Sequence, residues 1–241
     1  MKELEIFLFS IFSSTIAPIL GIGGGTFNVP FLTLYIGVEF PTAVTASLLA
    51  GACMSFSASL FNMKKMKTDA AACARLLPAI LLGSAISAYI PIKSRWLFLL
   101  FGVFVAFIGY LMLSDSKIRI QTNPVFFNIL LFASGVVFGL LGVGGGILYV
   151  PILMFTLGLD VKQSIANSSF MVLFSSLVSF GSHVAHGDLN LSTALPLAVP
   201  ALFMGYLGAY LMVEKIPKET LKKAFAVFLF FVALSMAMKS F

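Results

Sequence analysis

Charge is scarce in this 241-residue chain: Asp, Glu, Lys and Arg make up 10% of it, where a soluble domain carries about 25%. With 60% hydrophobic residues and a mean hydropathy of +1.06, a water-soluble globular domain is excluded. The few charges are bunched between continuous apolar runs approaching twenty residues, not spread through alternating segments of about ten, which excludes an outer-membrane barrel. Cysteine is nearly absent too. Cys53 and Cys73 form no CxxC pair and no disulfide framework, and they read as buried thiols. No phosphate-binding loop, kinase signature or serine nucleophile elbow appears, so the chain reads as neither an ATP-driven pump nor an enzyme, and no cofactor is called for. The net charge of +6 flanks the apolar runs, so it reports membrane topology and gives no reason to expect a nucleic-acid partner.

What is there is a duplication. Sliding the chain on itself by 121 positions lays Gly21-Ile22-Gly23-Gly24-Gly25-Thr26-Phe27-Asn28-Val29-Pro30 over Gly142-Val143-Gly144-Gly145-Gly146-Ile147-Leu148-Tyr149-Val150-Pro151. Gly37 then falls on Gly158, Ser47 on Ser168, and Gly83 near Gly205. Repeats of this size in a membrane protein indicate two structural halves, 1–119 and 120–241. Residues 6–20 resemble a signal peptide, but their counterpart at 127–141 lies inside the chain, so they are expected to belong to the mature fold.

Each half divides into five segments: 4–20, 27–37, 42–62, 70–90 and 96–114, then 124–141, 148–158, 163–183, 192–212 and 220–239. The second of each is too short for a hydrocarbon core of about 30 Å at about 1.5 Å per residue. The expected fold is therefore an all-α polytopic membrane protein of two inverted-topology repeats. Each repeat has a broken or re-entrant helix pair at a GxGGG turn, followed by three spanning helices. An odd number of crossings per half requires the inversion. With the 63–69 loop in the cytoplasm, Lys64, Lys65, Lys67, Lys117, Arg119, Lys162, Lys215, Lys218, Lys222 and Lys223 lie inside. Lys2, Lys93, Arg95 and Lys239 then face out, which places both termini on the non-cytoplasmic side.

Consecutive glycines permit positive φ and close backbone approach. Pro30 and Pro151 are expected in the first turn of a new helix, with Asn28 as an N-cap that Tyr149 cannot match. Free N–H groups and the positive end of a helix dipole bind small oxyanions without a basic side chain. The expected backbone donors are Gly23, Gly24, Gly25, Gly144, Gly145 and Gly146, with Thr26, Asn28, Ser47, Asn167 and Ser168 as polar contacts. Arg75, one and a half turns into its helix, either faces this site or snorkels to the interface. No Asp or Glu sits deep in a span, so a carboxylate proton relay is not visible. His183, His186 and Asp188 match no standard metal spacing and read as a solvated outer loop. The small-xxx-small faces Gly83–Ser87 and Gly205–Ala209 are read as helix packing within the bundle or between protomers, and a homodimer is one arrangement they allow.

The paired motifs G-I-G-G-G-T-F-N-V-P-F-L at 21–32 and G-V-G-G-G-I-L-Y-V-P-I-L at 142–153 resemble the sulfite exporter TauE/SafE family. The A-T-A-S and A-N-S-S style starts of the third segments resemble it too, and the likeness covers nearly the whole chain. The resemblance implies a prokaryotic inner-membrane transporter, lipid-embedded, whose substrate is a small sulfur-containing anion such as sulfite, an organosulfonate or thiosulfate.

Overall fold

A computed structural model describes residues 2–66, 70–90, 95–113, 124–142 and 145–240, and the chain there is helical, without strands. The first half comprises α1 (Lys2–Leu20), α2 (Gly25–Pro30, continued by a π-helix over Phe31–Ile36), α3 (Phe40–Lys65), α4 (Ala70–Ile86, ending in a 3₁₀ turn at Ser87–Tyr89) and α5 (Arg95–Leu113). The second comprises α6 (Pro124–Leu141), α7 (Gly146–Leu157), α8 (Val161–Ala185), α9 (Leu191–Tyr210, continued by a π-helix over Leu211–Lys215) and α10 (Lys218–Ser240). All ten expected segments are present, with ends moved by a few residues. Among the described residues, Lys2–Leu20, Phe40–Lys65, Val161–Ala185 and Leu191–Lys215 are long and apolar enough to cross a membrane. This is a polytopic α-helical membrane protein.

Glycine sets the breaks. Gly21 and Gly142 (φ +67° and +68°) end α1 and α6, and Gly37 and Gly158 (φ +79° and +66°) end the short second helices, so these four left-handed positions recur at the spacing of the duplication. At the end of α1 the Gly21 N–H donates to the Pro18 carbonyl and the Ile22 N–H to that of Ala17, the double bond of a Schellman cap. The short helices begin at Gly25 and Gly146, earlier than expected. Pro30 and Pro151 therefore sit six residues into a helix, where the missing N–H leaves the fourth residue back, Thr26 or Ile147, without its helical donor. In the first half the chain switches to a π-helix directly after that proline.

The two halves interlace. α1 packs along α9 and α6 along α4, so the first helix of each half lies on the fourth of the other. α3 and α8, the two most buried spans, face one another, α3 also runs against α9 and α8 against α4, and α5 pairs with α10. Close approach depends on small residues: a Cβ at Gly83 would strike the Phe132 carbonyl of α6, and one at Gly205 the Met54 carbonyl of α3. Hydroxyls join the same seams, with Ser10 donating to the Leu197 carbonyl at 2.5 Å and Ser182 to that of Ala85 at 2.7 Å. Outward faces carry Leu8, Phe12, Leu82, Phe107, Phe203 and Phe231, an apolar exterior suited to lipid.

At the start of α8, Asp160 is an N-cap in a full capping box with Gln163. Its carboxylate also accepts from Lys218 Nζ at 2.7 Å. Partial burial would raise the Asp160 pKa, but the Lys218 contact and the Gln163 N–H outweigh it and hold the carboxyl below the usual carboxylate range. A lowered folded-state value contributes stability that is present above about pH 4 and fades as the pH falls through it. Asp160→Ala should therefore cost about 1 kcal/mol at neutral pH. In thermal unfolding scans the gap between variant and parent should narrow towards pH 3.

Candidate functional site

The two glycine turns meet. Gly21 through Gly25 are buried, as are Gly142, Gly145 and Gly146, and a Cβ on Gly146 would lie against the Gly21 carbonyl and within 2.7 Å of the Ile22 Cα. Each turn is held by the other half. Ser47 Oγ donates to the Gly142 carbonyl and Ser168 Oγ to the Gly21 carbonyl, both at 3.0 Å. The apolar packing is exchanged in the same way: Gly21 sits against Ile165 and Val150, and Gly142 against Val44 and Val29, their equivalents at a spacing of 121. Such reciprocity, in which one residue touches a second and the equivalent of each touches the equivalent of the other, is the contact pattern of a local two-fold axis.

Ser47 and Ser168 thus hold carbonyls and spend their protons there. Gly24 is the N-cap of α2 with no side-chain cap, and its carbonyl receives the N–H groups of Phe27 and Asn28. The N–H groups of Gly25 and Thr26, in the first turn, have no acceptor within the helix. Gly145 plays the same part for α7, but with φ +85° where Gly24 has −59°. Asn28 is not the N-cap. It lies inside α2, fully buried, with Oδ1 accepting from Ser13 Oγ at 2.7 Å and Nδ2 without a partner. Its amide points back at its own turn, since a Cβ on Gly24 would lie 2.9 Å from Nδ2. Thr26 Oγ1 is also buried and unpartnered. Tyr149, the counterpart of Asn28, is fully buried and turns its ring tip under Gly145, where a Cβ would strike it. The first turn is thereby the more polar of the two.

Two expected contacts lie elsewhere. Asn167 donates to the Gln163 carbonyl at 2.8 Å, and its Oδ1 accepts from Cys73 Sγ at 3.3 Å, so its amide locks α8 to α4. Arg75 is exposed on α4 and does not join the buried turns. Gly144 and Val143 fall outside the described residues. Of the thiols, Cys73 is buried and Cys53 only half-buried. Beside the first turn lies a cavity of about 10 Å³ between Pro18, Gly21, Met54, Ser55, Ser169 and Val172. It has room for one water and none for a sulfur oxyanion.

The histidine reading is corrected. His183 belongs to the last turn of α8 and is 7% exposed, not part of a solvated loop. Its burial was concealed by the polar run that follows. Among the described residues no three His, Cys, Asp or Glu side chains converge to hold a metal. Sequence reasoning also missed Ser13, which orients Asn28 from α1. The only signal for it was the polar run Ser13-Ser14-Thr15 in the apolar stretch of α1.

Comparison with known proteins agrees with the fold. The sulfite exporter TauE/SafE family profile matches residues 6–236. The probable membrane transporter protein YunE of Bacillus subtilis is 27% identical over 240 residues, covering 87% of this chain and 88% of that protein. A probable membrane transporter protein of Xylella fastidiosa is 27% identical over 237 residues, covering 92% and 90%. Sulfite exporter TauE/SafE family protein 2 of Arabidopsis thaliana is 32% identical over 108 residues, or 45% of this chain and 23% of that one. No solved structure matches. With its motifs duplicated and the family profile covering almost every residue, the chain belongs to the sulfite exporter TauE/SafE family of membrane transporters.

Proposed function

We propose that this transporter moves a small sulfur-containing anion, such as sulfite, an organosulfonate or thiosulfate, across a prokaryotic inner membrane by secondary transport. Two oppositely oriented halves alternate access to a site at the paired glycine turns, and both chain termini lie on the non-cytoplasmic side. The observation that carries this reading is the buried Asn28 amide, whose Nδ2 hydrogens are unpartnered beside a helix N-terminus that no side chain caps. Unsatisfied donors at the positive end of a helix are complementary to an oxyanion. Gly23, Gly24, Gly25, Thr26 and Asn28 form the first side of the site, and Gly145 and Gly146 the second. Ser47 and Ser168 position the turns and do not themselves bind. The single-water cavity beside the first turn fits a closed state of the cycle, in which entry requires the helices to part.

Thermal unfolding of the purified protein against sulfite, sulfate, thiosulfate, taurine, sulfoacetate and chloride tests this. A ligand at a hundredfold excess over its Kd adds about 2.7 kcal/mol. One sulfur oxyanion should stabilise the parent, and Gly24→Ala should lose that response. Alanine suits φ −59°, and its methyl would press closely only on the Asn28 Nδ2, the end of a side chain and not backbone, so this variant should fold. Stabilisation by none of these anions, or an unchanged response in Gly24→Ala, overturns the assignment.

A further inference from the structure

His183 is the one buried imidazole of a chain with two histidines, and the proposed transport does not use it. Its Nδ1 lies 3.4 Å from the Asp188 carboxylate and its Nε2 3.3 Å from the Gly139 carbonyl. Both partners are acceptors. A neutral imidazole has one N–H, so it can satisfy one of them and turns a lone pair on the other, whereas the imidazolium donates to both.

Backbone geometry fixes the pair. α8 closes in a Schellman cap: the Gly187 N–H donates to the Val184 carbonyl at 3.0 Å and the Asp188 N–H to the His183 carbonyl at 3.3 Å. Gly187, at φ +93°, supplies the left-handed turn this requires, and so lays Asp188 back over His183. The other partner leads to the transport site. The Gly139 carbonyl that faces Nε2 also accepts the N–H of Gly142, the first glycine of the second turn, at 3.3 Å. One oxygen is thus shared between the imidazole and the turn. In the first half the position of His183 is taken by Asn62, so only one of the two equivalent sites carries a group that titrates.

Among the described side chains, the titratable groups around His183 are Asp188 on the following turn and, beyond it, His186, which meets Tyr89 of the 3₁₀ turn edge to face at 5.3 Å. α6 presents the Gly139 carbonyl, and alongside it Ser87 packs on Gly139 and the Ser84 carbonyl accepts from Ser179, one turn before His183; none of these carries a charge.

We propose that His183 is the proton-binding site of this transporter, clamped as an imidazolium between Asp188 and the Gly139 carbonyl and so linking protonation to the second glycine turn. The neutral ring keeps its one hydrogen on Nδ1, against the Asp188 carboxylate, because a lone pair there would face an anion. The hydrogen lost is the one on Nε2, whose lone pair then faces the Gly139 carbonyl, so the contact that breaks is the one to the second glycine turn. Exchange with water runs by way of the Asp188 side chain, which is 23% exposed.

This rests on the transport reading above, so two measurements are paired. In the His186→Gln variant, with ring nitrogens labelled by ¹⁵N, His183 is the single source of imidazole signals. The spectrum should show both nitrogens protonated at the acid end of the pH 5–8 range in which histidine changes charge. Asp188→Asn, which keeps the size and removes the charge, should displace that transition. A neutral ring throughout, or no movement in Asp188→Asn, overturns the proposal whether or not any anion is transported. In proteoliposomes, an imposed pH gradient should speed sulfite or sulfoacetate uptake severalfold in the parent and leave the His183→Gln rate unchanged. A pH-gradient response surviving in both His183→Gln and Asp188→Asn overturns it equally. Absence of uptake of any probe anion by the parent counts against the transport reading alone, and the ring spectrum still decides the proton site.

Discussion

Gly146→Ala will lose about 2–4 kcal/mol of stability and with it nearly all flux, because the added methyl has no space. It would enter the backbone of Gly21 and Ile22, and backbone cannot swing aside as a side chain end can. Relief requires the two turns to separate. That in turn stretches the 3.0 Å bonds from Ser47 to Gly142 and from Ser168 to Gly21, leaving buried carbonyls short of a donor. Gly181→Ala in α8 is the matched control. Nothing lies within 4 Å of its Cβ, so the same chemical change should be neutral or stabilise by about 0.5–1 kcal/mol through helix propensity. Unfolding midpoints and anion flux for the two variants, side by side, check this. Equal midpoints would show that the turns are not packed against each other as described.

Asn28→Asp should have the largest effect on transport for the smallest change in shape. It replaces a buried amide whose Nδ2 has no partner with a carboxylate of nearly the same size, fully inside the protein and beside the first turn. Two like charges about 4 Å apart at an effective dielectric near 20 repel by about 4 kcal/mol, roughly a thousandfold in affinity for an anion. Asn28→Leu removes the donors without adding charge and should cost only about tenfold, the worth of one or two hydrogen bonds. The ordering is the test. Leucine as harmful as aspartate would mean that Asn28 serves only to hold Ser13, and acid pH, which neutralises the new carboxyl, should partly restore the aspartate variant.

The ten segments were legible because apolar runs broken by glycine and proline are the strongest signal a membrane chain carries. The meeting of the two turns was legible because a duplicated motif at equal depth has only a few ways to be placed. The helix starts were not. A glycine can enter a helix without a side-chain cap, so the first turn opens at Gly25, and Asn28, a residue type that usually caps, lies inside it. Asn167 was misplaced for a different reason. Its neighbours Ser168 and Ser169 share the same polar run, but 100° of helix rotation per residue sends Ser168 to Gly21 and Asn167 to Cys73. No pattern in the run reveals which residue faces the turn. The burial of His183 had a usable signal in Gly187-Asp188, since a glycine just past an apolar helix marks a left-handed cap. That extends α8 and draws the histidine inside.

The interlaced packing makes each repeat incomplete without the other. A chain carrying one repeat would have α1 without α9, or α6 without α4, and a glycine turn with no serine from the other half on its carbonyl. Such a chain would recover these contacts by exchanging helices with a second copy of itself, and joining the two repeats in one chain makes that exchange intramolecular. Within one chain the two sides need not be identical, and here the exchange is kept while Asn28 stands opposite Tyr149 and Asn62 opposite His183.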